Sequence, residues 1–252
     1  MADGIWTALS GLRVREQRMA NLANNLANAN TVGFRRQVLL SREHRSSPEH
    51  RIAEQAPSDM TLRKLPQDHA MVVSEGSQMR EEEGALSLTK RPLDIAINGA
   101  KGYFVVEDEQ GNELLTRDGR FKISAENELQ TIDGAKVLSD GGAISIPPKT
   151  KLADLRVLPD GNIVNGVTTL GRLRLGYAPP ERLEAMGNNR FRANEVEPAE
   201  GITVVQGYQE LSTVNAVQAM VNLISAHRGF DANMKLLSSY KELDQEAIQL
   251  LK

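Results

Sequence analysis

The chain has 252 residues, 40% hydrophobic and 25% charged, enough to bury the core of one large domain or two small ones. It holds no cysteine, which excludes disulfides, thiol catalysis and Cys-type zinc sites. A net charge of −3 gives no footprint for nucleic acid or an anionic membrane, and an aromatic content of only 4% points to a thin core helped by contacts with other chains.

The N-terminal stretch sets the first element. Ile5, Leu9, Leu12, Met19, Leu22 and Leu26 are separated by 4, 3, 7, 3 and 4 residues, an a/d seam that predicts a helix over 3–32. Such a seam serves equally as the core face of an ordinary domain or as a face for a partner helix. Asn24, Asn25, Asn28 and Asn30 are weak helix formers because their amides compete for backbone groups. Asn30 to Gly33 therefore reads as a left-handed stop, after which Phe34 turns the chain out. Trp6, the single tryptophan, reads either as partly buried filler or as an anchor against a neighbour. The stretch lacks the basic n-region and apolar h-region of a secretory signal, and no run approaches the roughly 18 apolar residues of a membrane span. On composition alone the address defaults to the cytoplasm.

Residues 35–83 read as a long polar connector, broken at Ser46-Ser47-Pro48 and Ala56-Pro57-Ser58, with short strands near Leu65 and Met71-Val72-Val73. His44, His50 and His69 fall here with no rigid element to hold a metal between them, and Glu81-Glu82-Glu83 reads as a solvated charge run.

From Gly84 the period becomes two. Ala85–Thr89, Leu93–Ile97 and Gly102–Val106 alternate as strands do. Asp118-Gly119, Asp133-Gly134, Asp140-Gly141 and Asp160-Gly161 punctuate further short runs: Phe121–Ile123, Lys136–Leu138, Ile144–Ile146 and Leu155–Val157. Val167–Tyr177 closes the series as a late strand pair. Short strands with tight turns mean an antiparallel β domain over 84–205, not a βαβ sheet.

Helix returns over 206–252, with Ser212 or Thr213 as N-cap and an apolar face on Val217, Val221, Ile224, Phe230, Met234 and Leu237. His227 is the only histidine placed in a regular element, and it reads as a seam or partner-facing residue. No nucleophile, base and orienting group converge, and Gly161-x-x-x-x-Gly166 lacks the Lys-Ser/Thr of a phosphate loop. Nothing points to an enzyme, a cofactor, a metal or a small-molecule substrate.

Three stretches carry a resemblance. Asn25-Leu26-Ala27-Asn28-x-x-Thr31-x-Gly33-Phe34 resembles the N-terminal signature of bacterial flagellar rod and hook proteins. Leu93-Asp94 with Gly102-Tyr103-Phe104, then Thr116-Arg117-x-Gly119-x-Phe121, is similar to that family's middle segments, with Leu115 in place of the usual tyrosine and a spacer at Asn98–Lys101 one residue longer. Gln206-Gly207-x-x-Glu210-x-Ser212-Thr213-Val214-Asn215 resembles its C-terminal motif, with Thr213 in place of asparagine; Arg228 and Phe230 fit its Arg-x-Phe.

The resemblance implies an α+β fold, with N- and C-terminal helices paired as a coiled coil and a central antiparallel all-β domain. It divides the chain into helix 1–34 and helix 206–252 of an inner-tube domain, connector 35–83 and β domain 84–205. It implies a non-enzymatic axial subunit of the basal-body rod, assembling with copies of itself and other rod subunits, possible contacts with the surrounding rings, and a periplasmic rod location reached by export without a cleaved signal. Gly141–Pro148 and Thr213–Met220 look more like the proximal-rod than the distal-rod members. A distal-rod or hook-like member, or a soluble β-domain binding module, is the alternative; the last leaves both terminal seams idle.

Overall fold

The computed structural model describes residues 2–46, 69–148 and 150–249, with side chains described at 9–42, 76–148, 150–239 and 241–242. Helix α1 spans Ala2–Ala27 and α2 spans Ala216–Gln249, and between them the described residues form nineteen short strands. The chain folds as two compact units: Met1–Asn24, Val38–Gln78 and Val217–Lys252 make up one, Asn25–Gln37 and Met79–Ala216 the other.

The second unit is antiparallel β throughout its named strand pairs. Its strands are β3 (Leu86–Leu88), β4 (Ile95–Asn98), β5 (Tyr103–Glu107), β6 (Glu113–Thr116), β7 (Phe121–Ile123), β8 (Leu129–Thr131), β9 (Lys136–Ser139) and β10 (Gly142–Ala143). They continue with β11 (Leu155–Val157), β12 (Asn162–Asn165), β13 (Thr168–Arg172), β14 (Leu175–Tyr177), β15 (Glu184–Gly187), β16 (Arg190–Arg192), β17 (Glu197–Pro198), β18 (Thr203–Gln206) and β19 (Tyr208–Glu210). The main sheet runs β15-β16-β6-β5-β9-β8-β7, with β14 and β17 added through β5 and β10 through β9. A three-stranded sheet β11-β12-β13 and the pairs β18-β4 and β19-β3 complete it.

Strand β5 shows why the unit packs as it does. Its first four residues, Tyr103–Val106, are an unbroken and fully buried apolar run, as expected of a strand covered on both faces. The two-residue alternation sends Phe104 and Val106 into the larger core cluster, with Ile95, Ile97, Phe121, Val137 and Ile144. Tyr103 and Val105 go to a second cluster, with Leu115, Leu138, Ala178 and Phe191. Edge-on ring contacts stitch each side, Phe104 to Phe121 at 5.1 Å and Tyr103 to Phe191 at 6.2 Å.

Four local expectations change. Helix α1 ends at Ala27 rather than near residue 32, because the Asn-rich segment folds into tight turns in which the N–H groups of Asn28, Ala29 and Thr31 donate to Asn25, Leu26 and Asn28. Within the polar connector, β1 (Gln37–Ser46), where no strand was expected, pairs as a two-stranded ribbon with β2 (His69–Met79), which takes in the strand expected at Met71–Val73. Leu65 and His50 lie outside the described residues, as do the side chains of His44 and His69. The segment 167–177 is not one hairpin: β13 pairs with β12, whereas β14 pairs with β5 and β17. Neither Ser212 nor Thr213 caps α2, which begins at Ala216; the Val214 N–H donates to Ser212 Oγ at 3.2 Å, and Thr213 is used elsewhere.

Candidate assembly site

The three motif stretches meet in the second unit. Asn25 closes the exit of α1 with both ends of its amide: Oδ1 accepts from the Gln37 N–H at 2.9 Å and Nδ2 donates to the Gln37 carbonyl at 2.8 Å. Asn28 Oδ1 accepts from Thr31 Oγ1 at 3.1 Å inside that loop. Gly33 has φ +67°, the left-handed turn expected of it, and its N–H donates to the Glu210 carbonyl at 2.8 Å. A Cβ there would stand 2.6 Å from the Arg117 backbone carbon. The C-terminal strand returns the contact: the Thr213 N–H donates to the Phe34 carbonyl at 3.0 Å, and Thr213 Oγ1 accepts from the Arg36 N–H at 2.8 Å.

Beneath this backbone ladder lies a buried ion pair. Arg117 Nε stands 3.4 Å from Glu210 Oε2, both side chains at most 1% exposed. Arg117 Nη2 also donates to the Gly99 and Ala100 carbonyls, and Glu210 Oε1 accepts from the Gly84 N–H at 3.0 Å. A second buried guanidinium, Arg35, donates to the Ala100 carbonyl and to Tyr103 Oη, and lies 5.3 Å from the centre of the Tyr103 ring. Burial lowers the Arg117 pKa to about 10 against the pull of Glu210, and raises that of Glu210 against the pull of Arg117. Desolvation thus outweighs attraction on both partners, as for a pair whose remaining polar atoms go unmatched: among the described residues, Arg35 Nε, Arg117 Nε and Nη1, and Glu210 Oε2 make no hydrogen bond.

The remaining motif residues hold the frame around that pair. Gln206 Nε2 donates to the Pro92 and Leu155 carbonyls at 2.8 and 3.0 Å, while its Oε1 accepts from the Val157 N–H. The Gly207 N–H donates to the carbonyl of buried Asp94 at 2.7 Å. Thr116 Oγ1 donates to the Asn189 carbonyl, and Gly119 presses so closely on the Ile95 carbonyl that no Cβ fits. Leu93 packs against the core, which takes in Phe121. Gly102 is buried, and Asn215 is exposed at the edge of α2.

The charge run at 81–83 is not idle solvated surface. Glu81 accepts from Tyr177 Oη at 2.8 Å, Glu82 pairs with Arg36 at 2.8 Å, and Glu83 accepts from the Gly99 N–H at 2.8 Å. Burial first, then the bond to Glu81, pushes the Tyr177 pKa up to about 12. Arg35 and the pairing of Glu210 with Arg117 escaped sequence reasoning.

On the helices of the first unit, the residues predicted as seam separate into two groups. Leu12, Met19, Leu22, Phe230 and Leu237 are half-buried, as is Leu26 at the end of α1. Leu9, Val217, Val221, Ile224 and Met234 are exposed, Val217 at 72%, Val221 at 55% and Ile224 at 54%. The covered positions of α2 follow another line, Ala219, Leu223, Ala226, Phe230, Asn233 and Leu237, again with 4,3 spacing. Helix α1 approaches this line where a Cβ on Gly229 would stand 2.6 Å from Arg15 Nη1. Arg228 is exposed, and His227 Nδ1 stands 3.1 Å from Asp231 Oδ2 one turn on. The side chains of Ile5 and Trp6 lie outside the described residues.

This is an α+β protein with a helix at each end, its antiparallel β unit joining the segment after α1 to the strand before α2 through one buried clasp, and apolar helix faces left exposed among the described residues. Residues 5–35 match the family described as flagella basal body rod protein, residues 96–165 the flagellar hook protein FlgE/F/G D1 domain, and residues 205–250 the flagellar basal body rod FlgEFG protein C-terminal. The chain is 32% identical to the flagellar basal-body rod protein FlgF of Rhizobium meliloti and 30% identical to that of Caulobacter vibrioides, each over 100% of this chain and 98% of the relative. It is 28% identical to the flagellar basal-body rod protein FlgG of Buchnera aphidicola from Schizaphis graminum, over 99% and 100%. The chain belongs to the flagellar basal-body rod protein family.

Proposed function

We propose that this rod-family member, a structural subunit of the flagellar basal body, assembles with copies of itself and with other rod subunits into a helical tube that carries torque outward. In this reading residues 1–34 and 206–252 pair as a coiled coil in the inner tube, and the β domain of 84–205 faces outward. The observation that carries it is the exposed apolar face of α2 at Val217, Met220, Val221 and Ile224. One such residue on a surface is ordinary, but four within two helical turns form a face that burial against a neighbour stabilises. The clasp at Gly33, Arg117 and Glu210 holds the segment that follows α1 against the strand that precedes α2, within the β unit.

The same reading places the rod in the periplasm after export without a cleaved signal, gives the chain no catalytic role, and favours the proximal part of the rod on the residues at 141–148 and 213–220. The test is imaging of basal bodies from cells whose only copy of this chain bears a small tag. The tag is expected inside the rod, with swimming retained. Basal bodies that keep a complete rod when the chain is deleted would overturn the reading.

A further inference from the structure

Each helix carries a second stripe, regular in period and left uncovered. On α1, Leu9, Arg13, Glu16, Ala20 and Ala23 follow at spacings of 4, 3, 4 and 3, and all five are exposed. On α2, Val217, Met220, Ile224, His227, Asp231 and Met234 follow at 3, 4, 3, 4 and 3, and all six are exposed. An a/d period on an open face is the form that a partner helix reads.

The two stripes complement each other in one orientation only. The α1 stripe is charged toward its N-terminus, at Arg13 and Glu16, and small toward its C-terminus, at Ala20 and Ala23. The α2 stripe is large and apolar toward its N-terminus, at Val217, Met220 and Ile224, and polar further along, at His227 and Asp231. Laid antiparallel, Ala20 and Ala23 receive Ile224 and Met220, while Arg13 comes level with Asp231 and Glu16 with His227. Large side chains then fill the room that the alanines leave, and each charge meets its opposite or a proton-binding imidazole. Laid parallel, Arg13 and Glu16 would fall on Val217 and Met220, burying charge without a partner. A slip of one heptad sets Ala20 against Asp231 in one direction and Arg13 against Ile224 in the other. Register is therefore specified along with orientation.

We propose that the outer stripe of α1 in one copy docks antiparallel on the outer stripe of α2 in a second copy, with Ala20 against Ile224 and Arg13 against Asp231. A second copy fits because both complementary faces belong to the same chain. The contact is heterologous, so each copy keeps one unused face of each kind and the union repeats head to tail without closing. Arg13 of the arriving copy then competes with His227 for Asp231, which in the single chain holds His227 at 3.1 Å. The inference rests on the reading of the chain as a self-assembling rod subunit and names the faces that join.

The absence of cysteine makes the test direct. Two differently tagged variants, Ala20→Cys and Ile224→Cys, are co-expressed in place of the natural chain, basal bodies are purified, and mild oxidant is applied. One thiol per chain means that every disulfide joins two copies. A dimer carrying both tags is expected, and neither Ala20→Cys alone nor Ala20→Cys with Asp231→Cys should form one. Basal bodies that contain both variants but give no mixed dimer, or that link residue 20 preferentially to 231, overturn the docking while leaving the rod reading intact. Absence of the natural chain from basal bodies overturns the rod reading itself. Should a cysteine variant fail to enter, charge reversal decides. Arg13→Asp and Asp231→Arg are each expected to lower incorporation about tenfold and the double variant to restore it; equal loss in all three overturns the docking.

Discussion

The Gly33 N–H donates to the Glu210 carbonyl at 2.8 Å, so the residue that turns the chain out of α1 is bonded to the strand that leads into α2. Below that bond the Glu210 carboxylate faces Arg117, whose own backbone lies against Gly33. Three segments remote in sequence thus share one contact.

Gly33→Ala is expected to destabilise the β unit as well as the exit turn. It combines the cost of a left-handed φ in a residue with a Cβ, on the order of 1–2 kcal/mol, with a clash against Arg117 that backbone on both sides cannot relieve. Gly134→Ala supplies the control, since φ is +93° there and nothing lies within 4 Å. Thermal melts should show Gly33→Ala lowering Tm clearly more than Gly134→Ala; equal shifts would mean that the close approach is immaterial.

The clasp predicts an unusual pH dependence. Burial raises the Glu210 pKa above its usual 4.5, so the folded state holds that proton more tightly than the unfolded chain. Its contribution is fully present below 4.5 and is lost as pH rises through the folded value. Glu210→Gln, which keeps the neutral shape, should therefore gain on the wild type in Tm as pH rises from 4.5 toward neutrality. Arg117→Met should instead be costly at pH 7, about 3 kcal/mol, because it strands the carboxylate. A wild type that gains on Glu210→Gln over that range would show that attraction, not desolvation, rules the pair.

Alkaline titration checks the Tyr177 contact. With its pKa near 12, Tyr177 should give a late component of the tyrosine absorbance change, beside that of buried Tyr103, which is also raised, and Glu81→Gln should move the Tyr177 component down. The missing late component in Tyr177→Phe assigns it. An unchanged late component in Glu81→Gln would remove Glu81 from the cause.

The two faces of α2 should respond differently to charge. Ile224→Asp, at a 54% exposed position, is expected to leave the Tm of the isolated chain within about 0.5 kcal/mol of equivalent stability and to abolish rod incorporation and swimming. Ala219→Asp, on the covered line at 6%, should destabilise the chain itself by several kcal/mol, since it buries a charge without a partner. Levels of exported protein are measured alongside, so that a failure of export is not read as a failure of assembly. Normal incorporation of Ile224→Asp would show that this face meets no neighbour.

What the sequence determined by itself is what depends on near neighbours along the chain. Period two and recurrent Asp-Gly turns gave Phe121–Ile123 as a strand to the residue, and the left-handed turn at Gly33 followed from the failing helix before it. The order of motifs at both ends and in the middle sufficed for the family. The tertiary structure decided what depends on residues far apart. Helical spacing alone fits more than one stripe on α2, and only packing showed that Ala219, Leu223 and Ala226 are the covered line while Val217, Val221 and Ile224 stay open. Ribbon strand β1, and the full length of β2 around the expected Met71–Val73, were hidden because their polar residues need each other's backbone more than a core. The clasp was hidden for the same reason. Arg35, Arg117 and Glu210 look like surface charges in any local window, and only the fold, by withdrawing water from all three, makes them one site.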